Sequence, residues 1–214
     1  MEALNKLSPD TAAIAGLIEY AAAFNTIPGE VDCGDRYLVT PTPAGTLVAV
    51  VDGLGHGEQA AEASEVAIAT LRRHAEESVV GLIRRCHDAM KHTRGAVMSL
   101  ASFSARDQTV TWLSVGNVGG VLLHQNCVGG APCETILMRG GVVGFSLPAL
   151  QTAVVRIKPR DVLIFATDGI RCGFELGLSL NVPLQEIANS IRVHHNKGTD
   201  DALVLVARYR GDSS

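Results

Sequence analysis

Thr46-Leu47-Val48-Ala49-Val50-Val51-Asp52-Gly53-Leu54-Gly55-His56-Gly57 is the stretch on which the reading of this chain turns. Leu47–Val51 is a short apolar run rich in β-branched side chains, which suits a buried strand. Asp52 stands where the run stops. Gly53, Gly55 and Gly57 follow at alternate positions, so the backbone can turn sharply and come close to another group. An alanine-rich segment then begins. Two readings stay open for this stretch alone: a carboxylate presented to a ligand, or an Asp that caps a strand-to-helix turn.

The pattern returns downstream. Val162–Thr167 is a second apolar, β-rich run, and it ends in Asp168-Gly169. Two further aspartates stand at strand starts, Asp35 before Tyr37–Thr40 and Asp200 before Ala202–Arg208. Strand 36–40 is expected to turn through Pro41–Gly45, a segment of turn formers, and return as 46–51. In an antiparallel hairpin the entry of one strand lies beside the exit of the next, so Asp35 and Asp52 are expected neighbours. The same argument joins Asp168 to Asp200 if their strands are antiparallel. Four carboxylates on one edge repel one another unless protons or cations neutralise them. A site built of oxygen donors favours Mg²⁺ or Mn²⁺.

Composition narrows the classes. The chain has 214 residues, of which 47% are hydrophobic, enough for a sizeable core. Aromatic residues are only 4%, so that core is aliphatic and alanine-rich. The net charge is −4 and no basic block stands out, which argues against nonspecific nucleic-acid binding as the main task. No apolar run reaches the ~18 residues of a membrane span. Glu19 interrupts the longest candidate, Ala12–Phe24, and Met1–Asp10 lacks the basic start and apolar centre of a signal peptide. The five cysteines are odd in number and form no Cys-x-x-Cys, so reduced thiols in a cytoplasmic protein are expected. Cys33 and Cys172 lie near the aspartates, but thiolates suit Mg²⁺ poorly.

Along the chain, residues 1–12 read as a lead-in and 16–24 as a first strand. Helices are expected over 58–74, with an Ala60/Ser64/Ala67/Ile68/Leu71 stripe, over 79–92 behind Ser78 as cap, and over 183–194. The first two, joined by few residues, should be antiparallel neighbours. Strands are expected at 97–104, 109–115, 119–123, 135–138, 152–157, 162–167 and 202–208, with a loop over 125–134 and 170–181 left unassigned. Tight turns between strands favour antiparallel sheets covered by helices. Ser99, Ser102 and Ser114 read as plain strand serines, and His194-His195 as surface histidines, because adjacent helical residues point ~100° apart.

The ordered set of motifs resembles the metal-dependent serine/threonine phosphatases of the 2C type, the PPM superfamily, and within it the bacterial stress-response and sporulation branch. Gly34-Asp35, Asp52-Gly53-Leu54-Gly55-His56-Gly57, Gly116-Asn117, Thr167-Asp168-Gly169 and Asp200-Asp201-Ala202 stand in the family's order. The resemblance implies an α+β fold, an αββα sandwich of two antiparallel sheets flanked by helices, with residues 1–214 forming a single catalytic domain without a regulatory one. It also implies two Mn²⁺ or Mg²⁺ ions per site. Asp52 would bridge them, the Gly53 carbonyl, Asp168 and Asp200 would complete the shell, and Asp35 would act through water. A bare catalytic domain in this branch implies phosphoserine or phosphothreonine substrates on STAS-domain stressosome proteins of the RsbS and RsbR kind, with no nucleic-acid or membrane partner.

Two departures from the wider family matter. The His found two residues after the bridging Asp in many eukaryotic members is Leu54 here. His56 is then the candidate proton donor to the leaving oxygen, with a helix-start role as the alternative. The N-terminal phosphate-gripping arginine has no clear counterpart; Arg36 and Arg171 are nearest in sequence, and each reads more readily as structural. Two other classes stay in view. A nucleotide-binding kinase or ATPase could use Asp52-Gly53-Leu54-Gly55, but it needs an upstream helix with a Mg²⁺-holding Asn, and Asn5 and Asn25 offer no convincing one. A catalytically dead phosphoprotein-binding module would be expected to lack one of the aspartates.

Overall fold

The computed structural model describes residues 13–125 and 134–211. Eleven strands and three helices are present among them: β1 Ala13–Ala15, β2 Ile18–Asn25, β3 Asp35–Thr42, β4 Gly45–Gly53, α1 Glu58–Arg73, α2 Val79–Ala89, β5 Ala96–Ser104, β6 Thr109–Val115, β7 Gly119–Leu123, β8 Glu134–Thr135, β9 Ala153–Arg156, β10 Val162–Ala166, α3 Leu184–His195 and β11 Ala202–Tyr209. They form a six-stranded sheet, β1-β2-β11-β10-β7-β8, and a five-stranded sheet, β3-β4-β5-β6-β9. Every strand pairing is antiparallel.

The alternation along each strand decides the layers. In β4, Val48 and Val50 join Phe103, Trp112, Phe165, Leu203 and Leu205 in the core between the sheets. Leu47, Ala49 and Val51 point the other way, onto Ala63, Ala67, Leu71, Leu82, Ile83 and Met90 of the α1–α2 region. Val162, Ile164, Val204 and Val206 likewise leave the sandwich to meet Leu184, Ile187 and Ile191 of α3. Helices therefore cover both outer faces, giving the αββα arrangement. Each aliphatic side chain buried this way stabilises by about 1.5–3 kcal/mol, so both faces of each sheet have to be covered.

Most elements fall where the sequence places them, with instructive differences. The N-terminal strand is a hairpin, β1 turning at Gly16 (φ 55°) into β2, which is shifted to Ile18–Asn25. The strand expected over 135–138 shortens to Glu134–Thr135. Ile136 still gives its N–H to Gly120 O at 2.8 Å and is buried, but Leu137 and Met138 are exposed and leave the ladder. Residues 170–181 are short turns, with Phe174 buried beneath α3. Ser78 caps α2 through Gly81 N. Ser99 and Ser114 donate to Val118 O and are satisfied in place. The expected loop at 125–134 and the lead-in at 1–12 lie almost wholly outside the described residues.

No helix among the described residues is long and apolar enough to cross a membrane. The nucleotide-binding alternative loses its support: among the described residues only strands precede Asp52, and Asn25 ends β2, where it accepts a hydrogen bond from Arg192 at 2.7 Å.

Candidate metal centre

The β3–β4 hairpin turns through Pro43-Ala44, and its register sets Asp35 directly opposite Asp52. Directly paired side chains lie ~4.5–5.5 Å apart at Cβ. Two carboxylate charges at such a distance cost about 3 kcal/mol at an effective dielectric of ~20, more than a favourable cross-strand pair gives. In the other sheet, β10 runs antiparallel to β11, so its exit carries Asp168 to the side where Asp200 and Asp201 enter. A hydrogen bond joins the two sheets at this end: Thr167 Oγ1 donates to Asp35 Oδ2 at 2.8 Å. The same hydroxyl accepts from Leu203 N at 2.8 Å.

Asp35, Asp52, Asp168, Asp200 and Asp201 thus share one electrostatic neighbourhood. Burial pushes the Asp35 and Asp52 carboxyls well above the ordinary carboxylate range, and the neighbouring carboxylates push them further. Asp200 is raised as well, first by burial and then by Asp168 and Asp201 beyond its backbone bond. The Asp52 carboxylate accepts no hydrogen bond from any described residue, and so the capping reading of Asp52 does not apply. Close backbone approach completes the setting. A Cβ on Gly53 would lie 2.0 Å from Ala60 O, and one on Gly169 would lie 2.0 Å from Asp201 O. Glycine is required at both places for α1 and β11 to come this near.

The donor set fits a hard divalent cation. It offers carboxylate and carbonyl oxygen and a concentrated negative charge, with the His56 imidazole acting on Asp200 in the opposite sense. Cys33 is buried beside Asp35, its thiol pushed up to about 12, mainly by burial, and sulfur suits Mg²⁺ poorly. Among the described residues no three acidic, His or Cys side chains converge as a ready cage.

Other expected residues sort clearly. His56 is exposed, and its Nδ1 meets Glu30 Oε1 at 2.6 Å. It does not cap α1, whose N-cap is Gly57. Arg36 spends its guanidinium on the Cys33 and Asp35 carbonyls and on Glu65, and Arg171 donates to Asn196 O. Both are structural. Three groups to which the sequence alone attaches no role stand in or beside the cluster. Asp201 accepts from Ile27 N at 2.8 Å and from Gly34 N at 2.6 Å. Asn117 donates to Asp168 Oδ2 at 2.8 Å. Glu30 holds His56. The pairing of two adjacent aspartates, and of Gly116 with a polar residue in a strand turn, was the available signal for the first two; nothing local marks Glu30.

A face-to-face pair of antiparallel sheets, helices outside, with a carboxylate cluster at one sheet end, is the architecture of the PP2C-type phosphatases. The chain belongs to the SpoIIE family of that type: the family model for Stage II sporulation protein E matches residues 42–210. It is similar to the phosphoserine phosphatase RsbX of Bacillus subtilis (strain 168), 27% identical over 181 residues, which span 84% of this chain and 89% of RsbX. Among solved structures, a chain from work on the bacterial stressosome as a modular system adapted to control secondary messenger signaling superposes with TM-score 0.80 at 29% identity. It covers 89% of this chain and 99% of that one. RsbX in complex with magnesium gives 0.79 at 24% identity, covering 94% and 99%. The PP2C phosphatase domain with a fragment of the regulatory domain of SpoIIE from Bacillus subtilis gives 0.74 at 21%, covering 95% and 66%.

Two predictions follow from the cluster. Asp201→Ala removes the acceptor of two backbone N–H groups, each costing about 1–3 kcal/mol if left unsatisfied. Asp200→Ala removes a half-buried charge and a single acceptor, that of Asp201 N at 2.9 Å in a partly exposed turn. Thermal melting of the metal-free proteins should show a marked loss for Asp201→Ala and little change or a gain for Asp200→Ala; equal losses would contradict the assigned roles.

The second concerns pH. Asp35, Asp52 and Asp200 have folded pKa values above their unfolded ones, so over the intervening range the native state holds more protons than the unfolded state. Their contribution to stability is full below the unfolded value, near 3.8, and is lost as pH rises through the raised folded values. In EDTA the melting temperature should therefore fall as pH rises from 5 towards 9 (roughly the window these raised values imply), and millimolar Mg²⁺ should offset the fall. Parallel curves with and without Mg²⁺ would remove the cation from the cluster.

Proposed function

We propose that this chain is a metal-dependent protein-serine/threonine phosphatase that removes phosphate from serine or threonine on STAS-domain proteins of a stressosome-like complex. The placing of Asp35, Asp52, Asp168 and Asp200 at one sheet end, where their charges act on one another, carries the reading. Membership of a PP2C-type family supports the reaction. The likeness to a phosphoserine phosphatase, RsbX, and to a chain from a stressosome study supports the substrate class.

In this reading residues 1–214 work as one catalytic domain in the cytoplasm. Asp52, Asp168, Asp200 and the Gly53 carbonyl would hold Mg²⁺ or Mn²⁺, and Asp35 would act through water. Two such cations, when bound, would supply charge neutralisation for the phosphate and a lowered pKa for an attacking water. The chain's own residues do the rest. Asp52 is held at the end of β4 by its pairing with β3 and β5. Asp35 is oriented by Thr167. Asn117 fixes one oxygen of Asp168. His56, oriented by Glu30, delivers a proton to the leaving serine oxygen. No side-chain nucleophile is needed, in keeping with buried serines whose hydroxyls are already committed.

The direct test is hydrolysis of p-nitrophenyl phosphate, then of phosphorylated STAS-domain proteins, in EDTA and after addition of Mn²⁺. Activity should vanish in EDTA and return with Mn²⁺, and Asp52→Asn should lose both turnover and Mn²⁺ binding by calorimetry. Full turnover in EDTA would reject the mechanism, and metal binding without any turnover would leave a binding module.

His56 is separable from the aspartates. General-acid help is worth ~10²–10⁴-fold and matters less for a good leaving group. His56→Ala should slow phosphoserine hydrolysis strongly and p-nitrophenyl phosphate only slightly, with Mn²⁺ affinity kept. Glu30→Gln should shift in the same direction by less. Equal effects on both substrates would take His56 out of the chemistry.

A further inference from the structure

A phosphate monoester dianion approaching a cluster of carboxylates needs more than cations deep in the cleft; it needs positive charge at the rim. Arg36 and Arg171 are committed to backbone carbonyls. Arg139, whose carbonyl accepts from Gly116 N, turns its guanidinium to Gln151. We propose that Arg94 is the side chain that grips the substrate phosphate, acting across Gly55. The proposal rests on the phosphatase reading above.

Register puts Arg94 there. The β4–β5 ladder pairs Asp52 with Val97 and Gly53 with Ala96. It continues beyond the strands, because Leu54 N donates to Gly95 O at 3.1 Å. One step further sets Arg94 opposite Gly55, in the loop that leaves Asp52. The side chain does lie on that glycine: a Cβ at Gly55 would sit 2.7 Å from Arg94 Nη1. Gly55 (φ 85°) thus serves twice, allowing the left-handed turn and leaving a bare surface for the guanidinium.

The base of Arg94 is fixed while its head is free. Thr93 Oγ1 donates to Met90 O at 2.8 Å and accepts from Gly95 N at 3.0 Å, which pins the residues on either side. Arg94 itself is exposed and has no ion pair or hydrogen bond to any described residue. A rigidly based, always-charged planar fork lying on the loop that leaves Asp52 suits bidentate contact with two phosphate oxygens. A lysine would offer a point charge without the fork.

The test compares wild type, Arg94→Ala and Arg94→Lys, all Mn²⁺-loaded. Binding of orthophosphate is measured by calorimetry, and KM and kcat with p-nitrophenyl phosphate. Arg94→Ala should weaken orthophosphate binding and raise KM by about tenfold or more, the scale of lost charge-assisted hydrogen bonds. Mn²⁺ affinity should be unchanged, and Arg94→Lys should retain part of the binding. Wild-type orthophosphate affinity in Arg94→Ala would overturn the proposal. So would a defect confined to phosphoprotein substrates, which would make Arg94 a protein-docking residue. If wild type shows no turnover, the phosphatase reading falls, while the orthophosphate comparison still decides the anion contact.

Discussion

The constraint on which the rest depends is the opposition of Asp35 and Asp52 across a hairpin. The register of β3 and β4 is set by a short turn and by which face of each strand is apolar. A slip of one residue would send Val48 and Val50 to the helices and Leu47, Ala49 and Val51 into the sandwich. Two hydrophobic cores therefore lock two like charges together. The fold tolerates this at the sheet end, where the chain can still meet solvent and ions, and where it gains a concentrated negative site that apolar packing alone would never select.

Small residues let the supporting elements come close. Ala60, Ala63, Ser64 and Ala67 line the face of α1 that meets β4. Ser64 Oγ donates to Gly34 O, while Gly53 N donates to the same carbonyl at 3.2 Å. The backbone before Asp35 is thus tied to the backbone after Asp52 and to the helix. On the second sheet, Thr167 does similar work, receiving from Leu203 N and giving to Asp35. Asp35 is buried and held by its strand and by Thr167, and Asp52 by its place in β4, whereas Asp168, Asp200 and His56 sit half-buried or exposed on turns. The rigid half defines the place, and the looser half can adjust to what enters.

Much of this was legible because it is local. Apolar alternation, a turn rich in proline and glycine, and an aspartate at each strand terminus were sufficient to expect the hairpin, the second Asp-Gly exit and their meeting at one edge. The short N-terminal hairpin escaped because Gly16 interrupts a run whose alanines fit either helix or strand. The 135–138 strand was overextended because Leu137 and Met138 look like strand residues yet find no partner beyond Glu134–Thr135. Glu30 carries no signal in its neighbours, since its meaning arises only when the chain before β3 folds against the Asp52 loop.

Asp200 and Asp201 show most sharply where sequence reading ends. Both precede the same strand, and each alone could serve as a metal ligand. Side chains alternate sides as a chain enters a strand, so two neighbours cannot both face the cleft. One points to Asp168 and water. The other turns inward, where the N–H groups of Ile27 and Gly34 require an acceptor. Those two donors lie at the exit of β2 and the entry of β3, one from each sheet. Asp201, a buried carboxylate that accepts from both, closes the sandwich at the site end and is, in space, the clasp between the sheets.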